Sequence, residues 1–165
     1  MLVIFGGLTG VGKTAIAREL ARQIGGMHLR IDSIEQAVRG ARNEPLDDVG
    51  YRVAYAVAED SLRIGQTVIA DSVNPLLVTR DAWRSVAQRA GARAVEIEVI
   101  CSLPEEHQRR VESRLSDISG LRLPTWADVR SREYEPWDRE HLVVDTAGRT
   151  VEESVAVIRE ILRAA

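Results

Sequence analysis

Residues 7–14 of the 165-residue chain have the sequence Gly-Leu-Thr-Gly-Val-Gly-Lys-Thr, and this stretch decides the fold. An apolar run from Leu2 to Phe5 precedes it, and a helical pattern from Lys13 to Ile24 follows it. The stretch matches the pattern G-x-x-x-x-G-K-[ST] at every fixed position. Glycines let successive backbone N–H groups converge on phosphate oxygens, and a helix N-terminus adds partial positive charge. The sequence therefore predicts a strand, a phosphate-binding loop and a helix in succession.

The side chains of this loop suit the phosphates of a nucleotide. Lys13 carries a mobile point charge that can reach the β- and γ-phosphates, and Thr14 can supply its hydroxyl to Mg²⁺. Lys13 is the single lysine among 22 basic residues, and the rest are arginines. We expect these residues to bind the nucleotide: Gly7, Thr9, Gly10, Val11, Gly12, Lys13, Thr14 and Ala15.

Short apolar runs alternate with helical patterns along the rest of the chain. Strands are predicted at residues 2–5, 27–31, 67–70, 94–100 and 141–144. Helices are predicted at residues 13–24, 33–39, 49–65, 75–90, 104–115 and 151–162, with a loop at 43–48 and an irregular segment at 116–124. The alternation predicts an α/β fold, in which helices cover both faces of a five-stranded parallel sheet. Ligands bind beyond the carboxyl ends of such strands, so the residues that follow each strand are candidates for the site.

The composition excludes several classes of protein. A length of 165 residues fits one domain, 1–165, and 45% hydrophobic residues with a net charge of −3 exclude a disordered chain. No apolar stretch has the roughly 18 residues that a membrane helix needs, and we expect neither a signal peptide nor a membrane partner. The acidic balance disfavours general binding of nucleic acid. One cysteine, Cys101, cannot form an internal disulfide, which fits a cytoplasmic protein.

Two aspartates directly follow predicted strands. Asp32 follows the second strand, where a carboxylate can accept the proton of a substrate hydroxyl or cap the helix that begins near Ser33. Asp71 follows the third strand, where a carboxylate can hold Mg²⁺ or serve as a loop and cap residue ahead of Pro75. We favour a catalytic base at Asp32, and Thr14 and Asp71 as the metal-binding residues.

Arginines cluster after the fourth predicted strand. Arg110 and Arg114 are four residues apart, so they share one helical face. On a mobile lid, predicted at about residues 114–130, such arginines can stabilise the charge that develops in phosphoryl transfer. The alternative is a solvated basic face that pairs with neighbouring glutamates. Arg80 is a weaker candidate for a substrate contact. Three histidines are scattered without metal-ligand spacing: His28, His107 and His141.

Four motifs in order carry a family resemblance: GLTGVGKT, RIDSIEQA, VIADSVNP and QRRVESR, which begin at residues 7, 30, 68 and 108. The chain resembles the small P-loop kinases related to chloramphenicol phosphotransferase, in the group that includes polynucleotide kinase and zeta-toxin domains. The resemblance implies a P-loop NTPase sheet of order 2-3-1-4-5 and ATP with Mg²⁺ as phosphoryl donor. It also implies catalytic roles for Lys13, Asp32 and Arg114, with Asp32 activating the acceptor hydroxyl and Arg114 on the lid near the phosphates. Arg110 matches an arginine that packs against adenine.

The predicted function is transfer of the γ-phosphate of ATP to a hydroxyl group of a small molecule, by a monomer or a homodimer. Residues 40–50 lie where related kinases build the acceptor pocket, and they match no pocket for chloramphenicol. The sequence therefore does not decide whether the acceptor is an antibiotic-, sugar- or nucleoside-like molecule. One alternative is a polynucleotide 5′-hydroxyl kinase, which would need a basic groove. A second alternative is a nucleotide-binding ATPase without a small-molecule acceptor.

Overall fold

Strands and helices alternate along the chain in the computed structural model, which describes residues 1–41 and 48–164. The strands are β1 (Leu2–Gly6), β2 (Met27–Arg30), β3 (Val68–Asp71), β4 (Ala94–Ile100) and β5 (Leu142–Asp145). The helices are α1 (Lys13–Ile24), α2 (Ile31–Ala41), α3 (Val49–Arg63), α4 (Leu77–Arg89), α5 (Pro104–Ser113), α6 (Trp126–Ser131) and α7 (Val151–Ala164).

The five strands form one parallel sheet of order β2-β3-β1-β4-β5, which confirms the predicted order. Phe5 of β1 lies beside Asp71 of β3, and Gly6 lies beside Glu98 of β4. The carboxyl ends of β1 and β3 are therefore neighbours at the point where the phosphate loop begins. This register brings Asp71 next to the loop, although the two are far apart in sequence.

The two faces of β1 belong to different halves of the core, since successive side chains of a strand point to opposite faces. Val3 and Phe5 pack with residues of α1 and α7, whereas Leu2 and Ile4 pack with residues of α3 and α4. All four side chains are fully buried, so β1 is held on both faces. Within residues 1–41 and 48–164, no helix is long and apolar enough to cross a membrane.

The structure differs from the predicted elements in three main places. Helix α5 ends at Ser113 and the backbone of Arg114 is extended, so the prediction that Arg110 and Arg114 share one helical face is wrong. Helix α2 begins at Ile31, directly after β2 and two residues earlier than predicted. Helix α6 was not predicted, because six residues are too short to show an apolar stripe. A capping box starts it: Thr125 Oγ1 accepts the N–H of Asp128, and the Asp128 carboxylate accepts the N–H of Thr125. The predicted loop at 43–48 lies mostly outside the described residues.

Candidate active site

Two glycines of the phosphate loop lie where there is no room for a side chain. Gly7 and Gly10 have φ angles of +127° and +90°, which side-chain-bearing residues rarely adopt. A Cβ on Gly7 would lie 2.1 Å from the carbonyl oxygen of Val99, and a Cβ on Gly10 would lie 2.4 Å from Val111 Cγ2. The loop is thus packed against β4 and α5, and neither position leaves room for a side chain.

Lys13 begins α1, and its ammonium group is buried against the loop. The residue is 6% exposed, and Nζ donates a hydrogen bond of 2.8 Å to the carbonyl oxygen of Leu8. Burial lowers the pKa of Lys13 from 10.5 to about 8. Nearby carboxylates act against this shift, and the phosphates of a bound nucleotide would do the same, since negative charge favours the protonated form.

Four charged side chains from separate parts of the chain act on the Lys13 ammonium group. Two are acids, Asp71 and Asp32, and two are bases, Arg114 and Arg132. The structure therefore brings the predicted residues Asp32, Asp71 and Arg114 together around Lys13. Arg132 was not predicted, because it lies just beyond the expected lid and no local pattern marks it.

Asp32 lies in the first turn of α2, next to the end of β2. Its side chain is 46% exposed, and its Oδ2 lies 3.8 Å from Arg30 Nη2. Because α2 begins at Ile31, Asp32 is inside the helix and is not its N-cap residue, so the capping alternative is wrong. The half-exposed Asp32 carboxylate also acts on the charge of the Lys13 ammonium group.

Asp71 is the last residue of β3, and its side chain is 2% exposed. It does not cap α4, which begins at Leu77. Among the residues that the structure describes, no group of three or more His, Cys, Asp or Glu side chains could hold a metal ion by itself. Mg²⁺ needs no such group, because one or two protein oxygens, phosphate oxygens and water complete its coordination. The Thr14 hydroxyl and the Asp71 carboxylate fit that requirement.

Arg110 connects α5 to the turn that follows β5. Its Nη1 and Nη2 donate to Oγ1 and the carbonyl oxygen of Thr146 at 2.8 and 2.9 Å. Nη2 also pairs with Glu106 at 2.5 Å, so the predicted glutamate pairing is present as well. Thr146 Oγ1 lies 2.9 Å from the carbonyl oxygen of Val11, to which it donates. Thr146 therefore links the Arg110 guanidinium to the phosphate loop through hydrogen bonds.

The region predicted as a lid consists of an irregular segment, residues 114–125, followed by α6. Asp117 holds the segment against β2 and α1. It accepts a hydrogen bond from Arg30 at 2.8 Å and pairs with Arg18 at 2.5 Å. These two guanidinium groups lower the pKa of Asp117 to about 2. A Cβ on Gly120 would lie 2.9 Å from Gln36 Nε2. The segment thus lies against α1, β2 and α2.

His107 connects the phosphate loop to this region, and sequence reasoning did not find it. The residue is 7% exposed, and its Nε2 donates to the carbonyl oxygen of Thr9 at 2.7 Å. Its ring packs edge-on against Trp126 of α6, with centroids 5.0 Å apart. No local pattern could signal a hydrogen bond between residues 98 positions apart.

Tyr51 of α3 extends the site on the side of Asp32. Its hydroxyl lies next to the side chain of Ser72 and the backbone of Asn74, in the loop that follows β3. Burial raises the pKa of Tyr51, and the charges of Glu35 and Asp32 act in the same direction. The Tyr51 phenol and the Glu35 carboxylate therefore lie on the same side of the site as Asp32.

Arg80, the weaker candidate for a substrate contact, is too deeply buried to touch a substrate and instead stabilises the backbone around it. It is fully buried and donates to the carbonyl oxygens of Asn74 and Glu135 at 2.9 and 2.8 Å. The segment that it holds includes Trp137, which lies against Gly6 at the end of β1. A Cβ on Gly6 would lie 2.8 Å from Trp137 Cζ2.

The chain is similar to known proteins in its family and in its fold. The AAA domain family AAA_33 matches residues 2–136, and no curated protein matches the chain. The structure of APE1195 is 26% identical, with a TM-score of 0.74 over 100% of this chain and 95% of that one. The APS kinase CysC of Mycobacterium tuberculosis, solved with AMPPNP and APS, is 21% identical, with a TM-score of 0.74 over 98% and 96% of the two chains.

A third solved structure, a gluconokinase from Sinorhizobium meliloti, is 17% identical, with a TM-score of 0.65 over 98% of this chain and 94% of that one. The match of the family to most of the chain and the likeness to these structures confirm the P-loop NTPase fold. They also confirm the resemblance to small P-loop kinases. The chain belongs to the AAA domain family AAA_33.

Proposed function

We propose that this protein is an ATP-dependent phosphotransferase, which moves the γ-phosphate of ATP to a hydroxyl group of a small molecule. The observation that carries the proposal is the set of charges around Lys13: Asp32, Asp71, Arg114 and Arg132. A loop that only bound a nucleotide would need the cations and one metal-binding carboxylate. The second carboxylate, Asp32, is 46% exposed and can accept the proton of an acceptor hydroxyl, which supports phosphoryl transfer.

In the proposed mechanism, the acceptor hydroxyl lies between Asp32 and the γ-phosphate. Asp32 accepts the hydroxyl proton, the acceptor oxygen forms a bond to the γ-phosphorus, and the bond from phosphorus to the bridging oxygen of ADP breaks. Lys13, Arg114 and Arg132 neutralise the charge on the phosphate oxygens. Thr14 and Asp71 would hold Mg²⁺, which supplies further positive charge when bound. Most of the rate would come from positioning and electrostatic stabilisation.

The adenine end of ATP is assigned to the surface between Arg110 and the turn after β5. Arg110 holds Thr146 of that turn, and Thr146 holds Val11 of the phosphate loop. A guanidinium stacks well on a planar ring. The side chain of Arg110 is 27% exposed, so one part of it is available to a base.

The acceptor is assigned to the opposite end of the site, beside Asp32, Glu35 and Tyr51. Solved relatives of this fold include an APS kinase and a gluconokinase, so the fold itself does not select one acceptor. The Glu35 carboxylate and the Tyr51 hydroxyl supply hydrogen-bonding groups beside Asp32, which supports a small polar acceptor.

The experiment is an acceptor screen with ATP labelled at the γ-phosphate, in the presence of MgCl₂. The panel contains antibiotics, sugars, nucleosides and 5′-hydroxyl oligonucleotides. Phosphorylation of a small molecule is the expected result. Label found only on oligonucleotides would favour the polynucleotide kinase, and label released only as inorganic phosphate would favour an ATPase without acceptor.

Two variants then test the mechanism with the acceptor that the screen finds. Asp32→Asn should lower kcat by about 10²–10⁴-fold, because the base is lost, while the Kd for ATP changes little. Asp60→Asn is the matched control, since Asp60 is exposed on α3. An unchanged kcat in Asp32→Asn would show that the base assignment is wrong.

A further inference from the structure

His28 makes a hydrogen bond that the proposed mechanism does not use. Its Nε2 lies 3.1 Å from Oδ2 of Asp71, in neighbouring strands β2 and β3. In the register His28 lies beside Ile69, two residues before Asp71, so the three side chains share one face of the sheet. The His28 side chain is 19% exposed and that of Asp71 is 2% exposed, so water competes little for this contact.

We propose that His28 is a positioning residue for the metal: it fixes the Asp71 carboxylate so that Oδ1 faces the phosphate loop. The inference rests on the proposed function, in which Asp71 and Thr14 hold Mg²⁺. His28 itself would touch neither the metal ion nor the nucleotide. It acts by occupying Oδ2, which leaves Oδ1 for the metal ion or its water.

The need for such a residue follows from the freedom of an aspartate side chain. The terminal torsion of aspartate is broad, so its carboxylate has no strongly preferred rotation of its own. Lys13 is a competing partner, since the charge of Asp71 already acts on its ammonium group. A carboxylate that turned to pair with Lys13 would withdraw both groups from the nucleotide. The ring N–H of His28 holds the carboxylate in place by donating to Oδ2.

A second pair of a histidine and a carboxylate in this chain serves as a control for His28 and Asp71. His141 Nε2 lies 3.3 Å from Glu98 Oε2, and the two side chains are 16% and 18% exposed. Glu98 is in β4, on the other side of β1 from Asp71. The acids that act on Lys13 are Asp71 and Asp32, so this second pair has the same chemistry without the metal site.

The test measures how much Mg²⁺ strengthens binding of ADP, which needs no acceptor. Calorimetry gives the Kd for ADP with saturating MgCl₂ and with EDTA, and the ratio of the two is compared between variants. His28→Met should reduce this ratio about tenfold or more, the size typical of losing a partner of a metal ligand, and raise the MgCl₂ concentration for half-saturation. His28→Gln should restore most of the ratio, because its amide can donate at a similar reach. His141→Met should leave the ratio unchanged.

His28→Asn covers the case in which the methionine variant does not fold. Its amide is polar but too short to reach Asp71, so it should lose the Mg²⁺ effect where His28→Gln keeps it. A wild-type ratio in His28→Met or His28→Asn, with only a lower melting temperature, would overturn the inference and leave the proposed function standing. A wild-type protein whose affinity for ADP does not depend on Mg²⁺ would overturn the metal assignment of Asp71 itself.

Discussion

Arg80 provides the sharpest test of what holds the base of the site together. Its guanidinium donates to four backbone carbonyl oxygens, those of Asn74, Pro75, Glu135 and Pro136, at 2.8–3.2 Å. Two of these residues belong to the loop after β3, and two belong to the segment that precedes β5. Arg80→Met keeps an apolar stem of similar length but removes every one of these donors.

The expected loss of stability follows from these contacts. The guanidinium also lies over the rings of Trp137 and Tyr134, at 4.3 and 5.1 Å from their centroids. Removing one partner of a buried charged contact, and leaving the other groups unpaired, costs about 3–5 kcal/mol. We therefore expect Arg80→Met to lower the free energy of unfolding by about this amount.

Urea denaturation followed by tryptophan fluorescence measures this change, and Trp137 reports on the contact directly. Arg89→Met is the control on the same helix, because Arg89 is 52% exposed and pairs with Glu59 at the surface. Such a pair contributes only about 0–1 kcal/mol. Equal losses in the two variants, or a loss under about 1 kcal/mol in Arg80→Met, would refute the reasoning that the carbonyls depend on this guanidinium.

Three further predictions concern the loop and the lid. Gly10→Ala should abolish binding of ADP in calorimetry, because φ is +90° and Val111 lies 2.4 Å from the new methyl group. Gly65→Ala is the control, since Gly65 has a φ of +83° in open space. It should leave the Kd for ADP unchanged and lower the free energy of unfolding by only about 1 kcal/mol. Lys13→Arg should weaken ATP binding at least about tenfold, since a planar fork does not replace a compact ammonium; a Kd close to that of the wild type would contradict this. Because the folded-state pKa of Asp117 is lowered to about 2, its contribution is present above the unfolded pKa and is lost as pH falls towards 2. The stability advantage of wild type over Asp117→Asn, under about 1 kcal/mol for a side chain 50% exposed, should therefore vanish over that range in denaturation curves.

Local patterns predict most of the fold, because its strands are short buried runs bounded by glycines and polar residues. The run from Leu2 to Phe5 and the loop from Gly7 to Thr14 define the first strand, the loop and the first helix almost to the residue. Local patterns cannot, however, predict the order of the strands in the sheet, since periodicity carries no information on which strands are neighbours. That order was implied by the family resemblance, and the structure confirms it.

Some residues of the candidate site could be predicted from the sequence, and others could not. Asp32 and Asp71 could be predicted because the carboxyl ends of parallel strands meet at one edge of the sheet. Arg132, His107 and Tyr51 could not, because each reaches the site through packing between distant segments. Arg132 depends on the path of residues 114–131, where α6 is too short to be read from periodicity. The missed residues are therefore those whose position depends on tertiary contacts.

The contact between Gly6 and Trp137 couples the phosphate loop to the segment that precedes β5. The indole fills the space that a side chain at position 6 would need, since a Cβ there would lie 2.8 Å from Cζ2. A larger residue at position 6 would therefore have to displace the indole. Position 6 directly precedes the phosphate loop, so a change in the packing of Trp137 would be felt where that loop begins.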